Sequence, residues 1–297
     1  MKKKYTKKRI AIFTDNFNVG GIQKSLVNLL NNNDYEKYDI DVYVANYENN
    51  FFDVNPNANI IRFNKTSSIL KFIPFNVVYK IYNPIVLNKE YDLAIDFDSY
   101  QMHTAIGALK CKSKKKAIWI HNDIQIKIKE EFKYRILHFF FKDKYDYFDT
   151  YCAVSQGALD SFKEINKSKN KDKCYLVIPN YIDTKEIADK LKEKSDIKVD
   201  KEKVNIVTVG RLCHQKGIDI MLDNIKKDFH LYIIGDGDEK EKLIEQMKRL
   251  DLEQYVTFLG NQKNPFKYLK EMDLFYLSSR YEGQGMVILE AKSVGLD

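Results

Sequence analysis

Two carboxylates, Glu282 and Glu290, frame the segment with most to offer chemistry: Arg280-Tyr-Glu282-Gly-Gln-Gly-Met-Val-Ile-Leu-Glu290. Glu282 follows an apolar strand pattern on a loop flanked by Gly283 and Gly285, where glycine lets the backbone of Gly283, Gln284, Gly285 and Met286 come close to a ligand. The N–H groups at the start of the helix that follows suit an anion. Glu290 sits within an apolar helix start (Met286, Val287, Ile288, Leu289), where a carboxylate must be paired or face a ligand, because burying it unpaired is costly. Arg211 and Lys216 follow another strand, in Val209-Gly-Arg-Leu-Cys-His-Gln-Lys-Gly217. A guanidinium fork and an ammonium point charge beside glycine fit a diphosphate; by spacing alone they fit two solvated surface cations equally well. Gly20-Gly21 joins a first strand to a first helix, a junction that can cradle phosphate, and Gly235-Asp236-Gly237 is either a second such loop or a plain turn. His121, in Trp119-Ile-His-Asn-Asp123, closes a strand and so can face a ligand or be structural.

The elements needed to position these groups are legible as apolar runs. Strands are predicted at Arg9–Thr14, Ile40–Ala45, Ile60–Phe63, Leu93–Phe97, Ala117–Ile120, Tyr151–Val154 and Tyr175–Ile178. They alternate with helical patterns such as Ile22–Leu30, which predicts a parallel sheet covered on both faces. Apolar density falls between Asn180 and Lys203, and the same grammar then restarts with strands at Val204–Gly210, His230–Gly235, Val256–Leu259 and Leu274–Leu277. Helices are predicted at 217–227, 238–250, 265–270 and from Gly285. The expected fold class is α/β, two doubly wound Rossmann-like domains facing a cleft: residues 1–182, a linker 183–202, and 203–297. In such sheets ligands bind beyond the carboxyl ends of the strands.

Composition narrows the classes of function. With 44% hydrophobic and 31% charged residues in 297, the chain is neither disordered nor low-complexity. No apolar stretch is long enough to span a bilayer. The run Ile10–Phe13 after Met1-Lys-Lys-Lys4 is too short for a signal peptide, so a cytoplasmic protein is expected. Cys111, Cys152, Cys174 and Cys213 show no zinc-ligand spacing and are expected to be reduced and mostly buried. Residues 1–180 carry 29 Lys+Arg against 20 Asp+Glu, whereas 181–297 carry 20 against 22. A basic first half suits an anionic partner, and without a zinc finger, RRM signature or basic aromatic helix that partner is not nucleic acid. Residues 67–87 are apolar and aromatic. Residues 126–148 mix Lys127, Lys129, Lys133, Arg135, Lys142 and Lys144 with Ile126, Phe132, Ile136, Leu137 and Phe139–Phe141. Such stretches either pack on the sheet or lie on an anionic membrane surface.

Taken in order, Gly20-Gly21, Ile-His121-Asn-Asp, Val-Ile-Pro179-Asn180-Tyr-Ile-Asp183, Gly210-Arg211-Leu…Lys216-Gly217, Gly235-Asp236-Gly237 and Glu282-x7-Glu290 resemble the retaining glycosyltransferases of family 4, which have the GT-B fold. The resemblance runs along nearly the whole chain. It implies a nucleotide-sugar donor, most commonly a UDP-sugar, held by the second domain, and a glycan or lipid-linked acceptor held by the first. It further implies that Arg211 and Lys216 neutralise the diphosphate, with the Gly20-Gly21 backbone helping, and that Glu290 binds the ribose hydroxyls. Glu282 faces the transferred sugar, Gly283, Gln284, Gly285 and Met286 lie near sugar and phosphate, and His121 contacts the reacting centre. No metal and no cofactor is implied. The expected setting is surface or capsular polysaccharide synthesis in the cytoplasm, peripheral at the inner face of the cell membrane.

Three departures stand out. Tyr181 replaces a glycine usual after Pro-Asn, and Gln284 stands where an aromatic or small residue is common. After Glu290-Ala-Lys-Ser-Val-Gly295-Leu the family continues with a proline, another strand and further helices, so the resemblance implies that roughly 60 to 80 residues of the doubly wound domain are missing. A strand at Leu274–Leu277 without an outer neighbour is the expected consequence. A non-catalytic relic or binding module of the family is the alternative expectation, and a sugar-nucleotide epimerase is a third.

Overall fold

The structure, a computed structural model, describes residues 6–47, 51–84, 86–166 and 172–297. The lysine run after Met1 and Ile85 of the apolar 67–87 stretch lie outside the described residues. The chain forms two compact units, Met1–Tyr181 and Ile182–Asp297.

In chain order the first unit contains β1 (Lys8–Asn16), α1 (Gly21–Asn31), β2 (Tyr38–Asn46), β3 (Asn59–Arg62), a 3-10 turn (Ser68–Phe72) and α2 (Phe75–Ile81). It continues with β4 (Tyr91–Asp96), α3 (Met102–Lys110), β5 (Ser113–Ile120), α4 (Ile124–Glu130), α5 (Phe132–Phe141) and a second 3-10 turn (Lys142–Tyr147). β6 (Thr150–Ala153), α6 (Gln156–Ile165) and β7 (Cys174–Val177) complete it. All seven strands run parallel in the order β3-β2-β1-β4-β5-β6-β7. The apolar runs become the buried middles of the strands: Ala11–Thr14 in β1 and Ile40–Val44 in β2 are fully sequestered, as expected when helices cover both faces. Phe13 stacks on Tyr43 at 4.5 Å between ring centroids, and Phe63 meets both edge-on. α3 lies so close to β1 that a Cβ on Gly107 would fall 2.5 Å from the Phe13 ring. Helix starts are set by local carboxylates and hydroxyls: Asp123 caps α4 and Ser155 caps α6.

The second unit contains α7 (Thr184–Lys190), β8 (Val204–Val209), a 3-10 turn (His214–Lys216), α8 (Ile218–Asn224) and β9 (Phe229–Ile234). There follow α9 (Lys240–Arg249), β10 (Val256–Gly260), α10 (Phe266–Leu269), β11 (Leu274–Phe275) and α11 (Met286–Ser293). Its parallel strands run β10-β9-β8-β11. Successive residues of β8 and β9 point to opposite faces, and each face has its own core. Val207, Tyr232 and Ile234 join Phe266, Phe275 and Ala291 on one side; Ile206, Leu231 and Ile233 join Met221, Leu222 and Leu243 on the other. Residues 183–202 carry α7, capped by Asp183, and pack on the first of these cores through Ile187, Leu191, Ile197 and Val199. Among the described residues β11 pairs with β8 alone.

In both sheets the strand order reverses direction once, between β1 and β4 in the first unit and between β8 and β11 in the second. Chains leaving the carboxyl ends of two such neighbours part to opposite faces and open a crevice, which is where ligands of doubly wound sheets bind.

Two sequence expectations need correction. Lys127 and Lys144 are buried, so neither belongs to a solvated basic face. Their cost is met locally: Lys127 lies over the rings of Tyr100 and Tyr134, and Lys144 donates through Nζ to the Ser99 carbonyl. The thiols are free but only half of them are buried, Cys111 and Cys152, while Cys174 is exposed and Cys213 half-buried.

Candidate active site

In the second unit the loops after β8 and β11 meet at the switch point. Gly217 adopts φ 62°, and a Cβ there would stand 2.2 Å from the Ser278 carbonyl oxygen, so only glycine allows the two loops this approach. Ser278 Oγ donates to the carbonyls of Lys216 (3.1 Å) and Gly217 (2.7 Å), and the Arg280 N–H donates to the Gln215 carbonyl at 2.8 Å. Arg280 grips Asp219 with two parallel bonds of 2.8 and 2.6 Å and also reaches the His214 carbonyl. The guanidinium holds the Asp219 carboxyl below its usual range. Gly235-Asp236-Gly237 resolves as a structural turn: a Cβ on Gly235 would fall 1.9 Å from the Gly210 carbonyl oxygen, and the Leu212 N–H bonds the Asp236 carbonyl at 3.0 Å.

That frame brings Lys216 and Glu282 together. Nζ lies 2.5 Å from Oε1, both side chains being about four-fifths buried (17% and 22% exposed), and Ser279 Oγ donates to the same carboxylate oxygen at 2.8 Å. The Lys216 stem runs along Gly210, whose Cβ would touch it. Arg211 is exposed and makes no hydrogen bond or ion pair within the described residues. Gly283 and Gln284 are half-buried, Gly285 turns the chain at φ 62°, and buried Met286 begins α11. Glu290 is one helical turn further on, half-buried and partnered within the protein. Chemically the arrangement is a cation that carries its own counter-charge. An arriving diphosphate can take Lys216 from Glu282 and gain the Arg211 fork, while the carboxylate so released accepts hydrogen bonds from hydroxyls.

In the first unit Gly20 ends the loop after β1 and Gly21 starts α1. A Cβ on Gly21 would meet nothing within 4 Å, so its space is open on the protein side. His121 follows β5 and is 6% exposed, its ring against Phe97 with Trp119 further off. Its Nε2 lies 2.8 Å from the Phe97 carbonyl. A carbonyl only accepts, so Nε2 carries the proton and Nδ1 is the acceptor. Burial pushes the imidazole down to about 4, which makes it neutral at pH 7.

The β1/β4 switch point also holds a cluster that sequence reading missed. The Asp15 carboxylate meets His103 Nε2 at 3.0 Å and Lys65 at 3.4 Å, with Asn16 Nδ2 at 2.8 Å. Burial opposes its charge, but those contacts hold it at about 2. Asp98 is buried and accepts from the Asp15 N–H and from Thr14 Oγ1. Burial pushes its carboxyl up to about 7, and the charges of Asp96 and Asp15 add to the rise. Asp96, also buried, takes the Ser99 N–H at 3.3 Å and is raised by burial. Lys144 is pushed down to about 8 by burial, with Asp96 opposing. The signal was present in Asp96-Phe-Asp98-Ser at the end of an apolar strand and Asp15 at the end of another.

Residues 188–296 match the model of the family described as glycosyl transferases group 1. An uncharacterised glycosyltransferase of Methanocaldococcus jannaschii, MJ1059, is 30% identical over 260 residues, which cover 80% of this chain and 62% of that protein. An N-acetylgalactosaminyltransferase of Campylobacter jejuni, whose name specifies a diacetylbacillosaminyl-diphospho-undecaprenol substrate, is 34% identical over 140 residues, 46% of this chain and 37% of its own length. The chain thus spans less than two thirds of either relative. Among solved structures, that of Anabaena HepE in complex with UDP-glucose superposes with a TM-score of 0.66 at 16% identity, covering 97% of this chain and 79% of that one. At that identity the likeness speaks for the fold. A family match over the second unit, a relative aligned over most of the sequence and a shared two-unit architecture converge: residues 188–296 form a domain of the glycosyl transferases group 1 type, and the chain has the GT-B fold.

Proposed function

We propose that the protein transfers a sugar from a nucleotide-diphosphate sugar, a UDP-sugar, to a glycan or lipid-linked acceptor with retention of configuration and without a metal, in the assembly of a surface or capsular polysaccharide. The observation that carries this reading is the Lys216–Glu282 pair at the β8/β11 switch point, on the loop after β8 that also carries the exposed Arg211. These groups match the two halves of a sugar diphosphate, an anion and a set of hydroxyls. Arg211 and Lys216 take the diphosphate and stabilise its charge as it leaves, which lowers the barrier more than any other contact such a site can make. Glu282 accepts from sugar hydroxyls, Glu290 from the ribose, and the backbone of Gly283, Gln284, Gly285 and Met286 lines the approach. Gly20 and Gly21 assist at the phosphate, and neutral His121 accepts a hydrogen bond at the reacting centre through Nδ1. Support for uridine comes from the UDP-glucose complex of HepE, and for a lipid-linked acceptor from the substrate named for the Campylobacter relative.

Thermal unfolding against UDP-, GDP- and ADP-sugars, each with and without a chelator, tests the donor site. Binding at a hundredfold excess over Kd stabilises by about 2.7 kcal/mol. The expected result is a chelator-insensitive rise with the UDP-sugar that Lys216→Met removes. A cooperative melt unmoved by every nucleotide sugar replaces this reading with a non-catalytic binding module. Turnover of donor with no acceptor present replaces it with an epimerase.

A further inference from the structure

The outer face of α5 has an unusual make-up. Tyr134, Leu137, His138 and Phe141 turn inward and line a small cavity with Lys127 and Tyr145. Phe132 and Phe139, a heptad apart on the other side, are each 68% exposed. Beside them stand the exposed Lys133 and Lys142, the latter 5.7 Å from the Phe139 ring centre. The 3-10 turn Ser68–Phe72 packs on this helix, its Phe72 ring edge-on to Phe140, and presents Ile69 (77% exposed) and Phe72 (61%) with Lys71 between them.

Scattered exposed apolar side chains are ordinary. Four large ones on two packed elements, interleaved with lysines, are not. Neither the turn nor α5 contains an acid, and Lys71, Lys133 and Lys142 form no ion pair within the described residues. Of the nearest acids in sequence, Glu130 ends α4, Glu131 stands between α4 and α5, and Asp143 accepts from Asn76. Unpaired surface lysines are ordinary by themselves; lysines interleaved with large apolar and aromatic side chains suit phosphate headgroups with the boundary of the acyl region beneath them.

We infer that this face, Ile69, Phe72, Phe132 and Phe139 with Lys71, Lys133 and Lys142, docks the first unit on an anionic bilayer. The inference rests on the lipid-linked acceptor reading for its purpose, since docking would place the first unit beside an acceptor held in that bilayer. It rests on nothing but these side chains for the binding itself. The unevenness of charge agrees, because the excess of cations falls in the first 180 residues.

Co-sedimentation of the full chain with vesicles tests it, using phosphatidylcholine alone and phosphatidylcholine mixed with phosphatidylglycerol. Binding is expected to the anionic vesicles only and to weaken with salt. Lys133→Glu with Lys142→Glu should reduce the partition coefficient roughly fivefold or more for each charge. Phe132→Ser with Phe139→Ser should reduce it by at least roughly tenfold through lost apolar burial. All four positions are exposed, so both variants should melt as the parent does. No partition of the parent, or equal partition of the Phe variant, overturns the inference. So does a vesicle-free dimer that the Phe variant dissociates, which would assign the face to a second copy of the chain. Because binding is read without nucleotide sugar, a chain that binds vesicles yet transfers nothing refutes the activity and keeps the surface. One that glycosylates a soluble glycan yet ignores vesicles does the reverse.

Discussion

At the level of single residues, Lys216 and Glu282 stand 66 positions apart in sequence and 2.5 Å apart in space. Their types and strand-end positions marked both as ligand groups, but only the β8/β11 juxtaposition shows that each holds the other in the absence of ligand. The β1/β4 cluster was less accessible still. Asp15 and Asp98 are 83 positions apart, and nothing in a strand pattern says that strands one and four are neighbours. Lys144 looked like one lysine in a basic run and is instead the buried cation facing Asp96. This cluster has a measurable consequence. Asp98 is faced by Thr14, Asp15 and Asp96, with His103 on Asp15 and Lys144 beyond Asp96. Its folded carboxyl is raised to about 7, so the native state holds a proton that the unfolded chain releases near its ordinary value of 3.8. The stability this contributes is fully present below the unfolded value and is lost as pH rises through about 7. His121 acts in the opposite sense, its contribution falling as pH drops from 6.5 toward about 4. Asp98→Asn mimics the protonated carboxyl and removes one of the two effects. In denaturant titrations the variant should gain on the parent from pH 4 to about pH 7 and level off above it; a constant difference across that range would show that Asp98 ionises elsewhere.

At the level of elements, the fold was legible because parallel strands buried on both faces appear as apolar runs, and the intervening helices carry the complementary spacing. β1 at Lys8–Asn16 and β9 at Phe229–Ile234 lie over the predicted runs within two residues or less at either end. What a pattern cannot convey is why each glycine is where it is. Gly20-Gly21, Gly217, Gly235 and Gly285 all read alike in sequence, as loop glycines beside a strand or helix. The structure separates them. Gly217 is held at positive φ against the Ser278 carbonyl, whereas Gly21 begins a helix with empty space where its Cβ would go. Gly217→Ala should therefore cost stability, on the order of 1–3 kcal/mol, and loosen the loop that holds Lys216. Gly21→Ala should leave stability unchanged or raise it by up to about 1 kcal/mol, yet still weaken donor binding if ligand occupies that space. Chemical denaturation beside nucleotide-sugar titration of both variants decides the matter: a Gly21→Ala protein that binds donor as the parent does would remove Gly21 from the site.

Across the whole molecule, charge and ligand chemistry divide between the two units. The basic first unit carries the exposed aromatic and lysine face; the nearly neutral second unit carries the Lys216–Glu282 pair proposed to meet the donor. Ligand binding protects backbone amides where it reduces local opening, so two ligands should leave two separate footprints in hydrogen exchange. A UDP-sugar should slow exchange at residues 210–217 and 276–290, the loops laced together by Ser278 and Arg280, because occupying the site replaces the Lys216–Glu282 pair with contacts to both loops. Anionic vesicles should slow exchange at 68–72 and 132–142 and leave the second unit's loops as they were. Protection of 210–217 by vesicles alone would mean that the cations Arg211 and Lys216 answer to phosphate headgroups as readily as to a nucleotide. Specificity for a nucleotide sugar would then have to come from contacts to the base and the sugar rather than from these two cations.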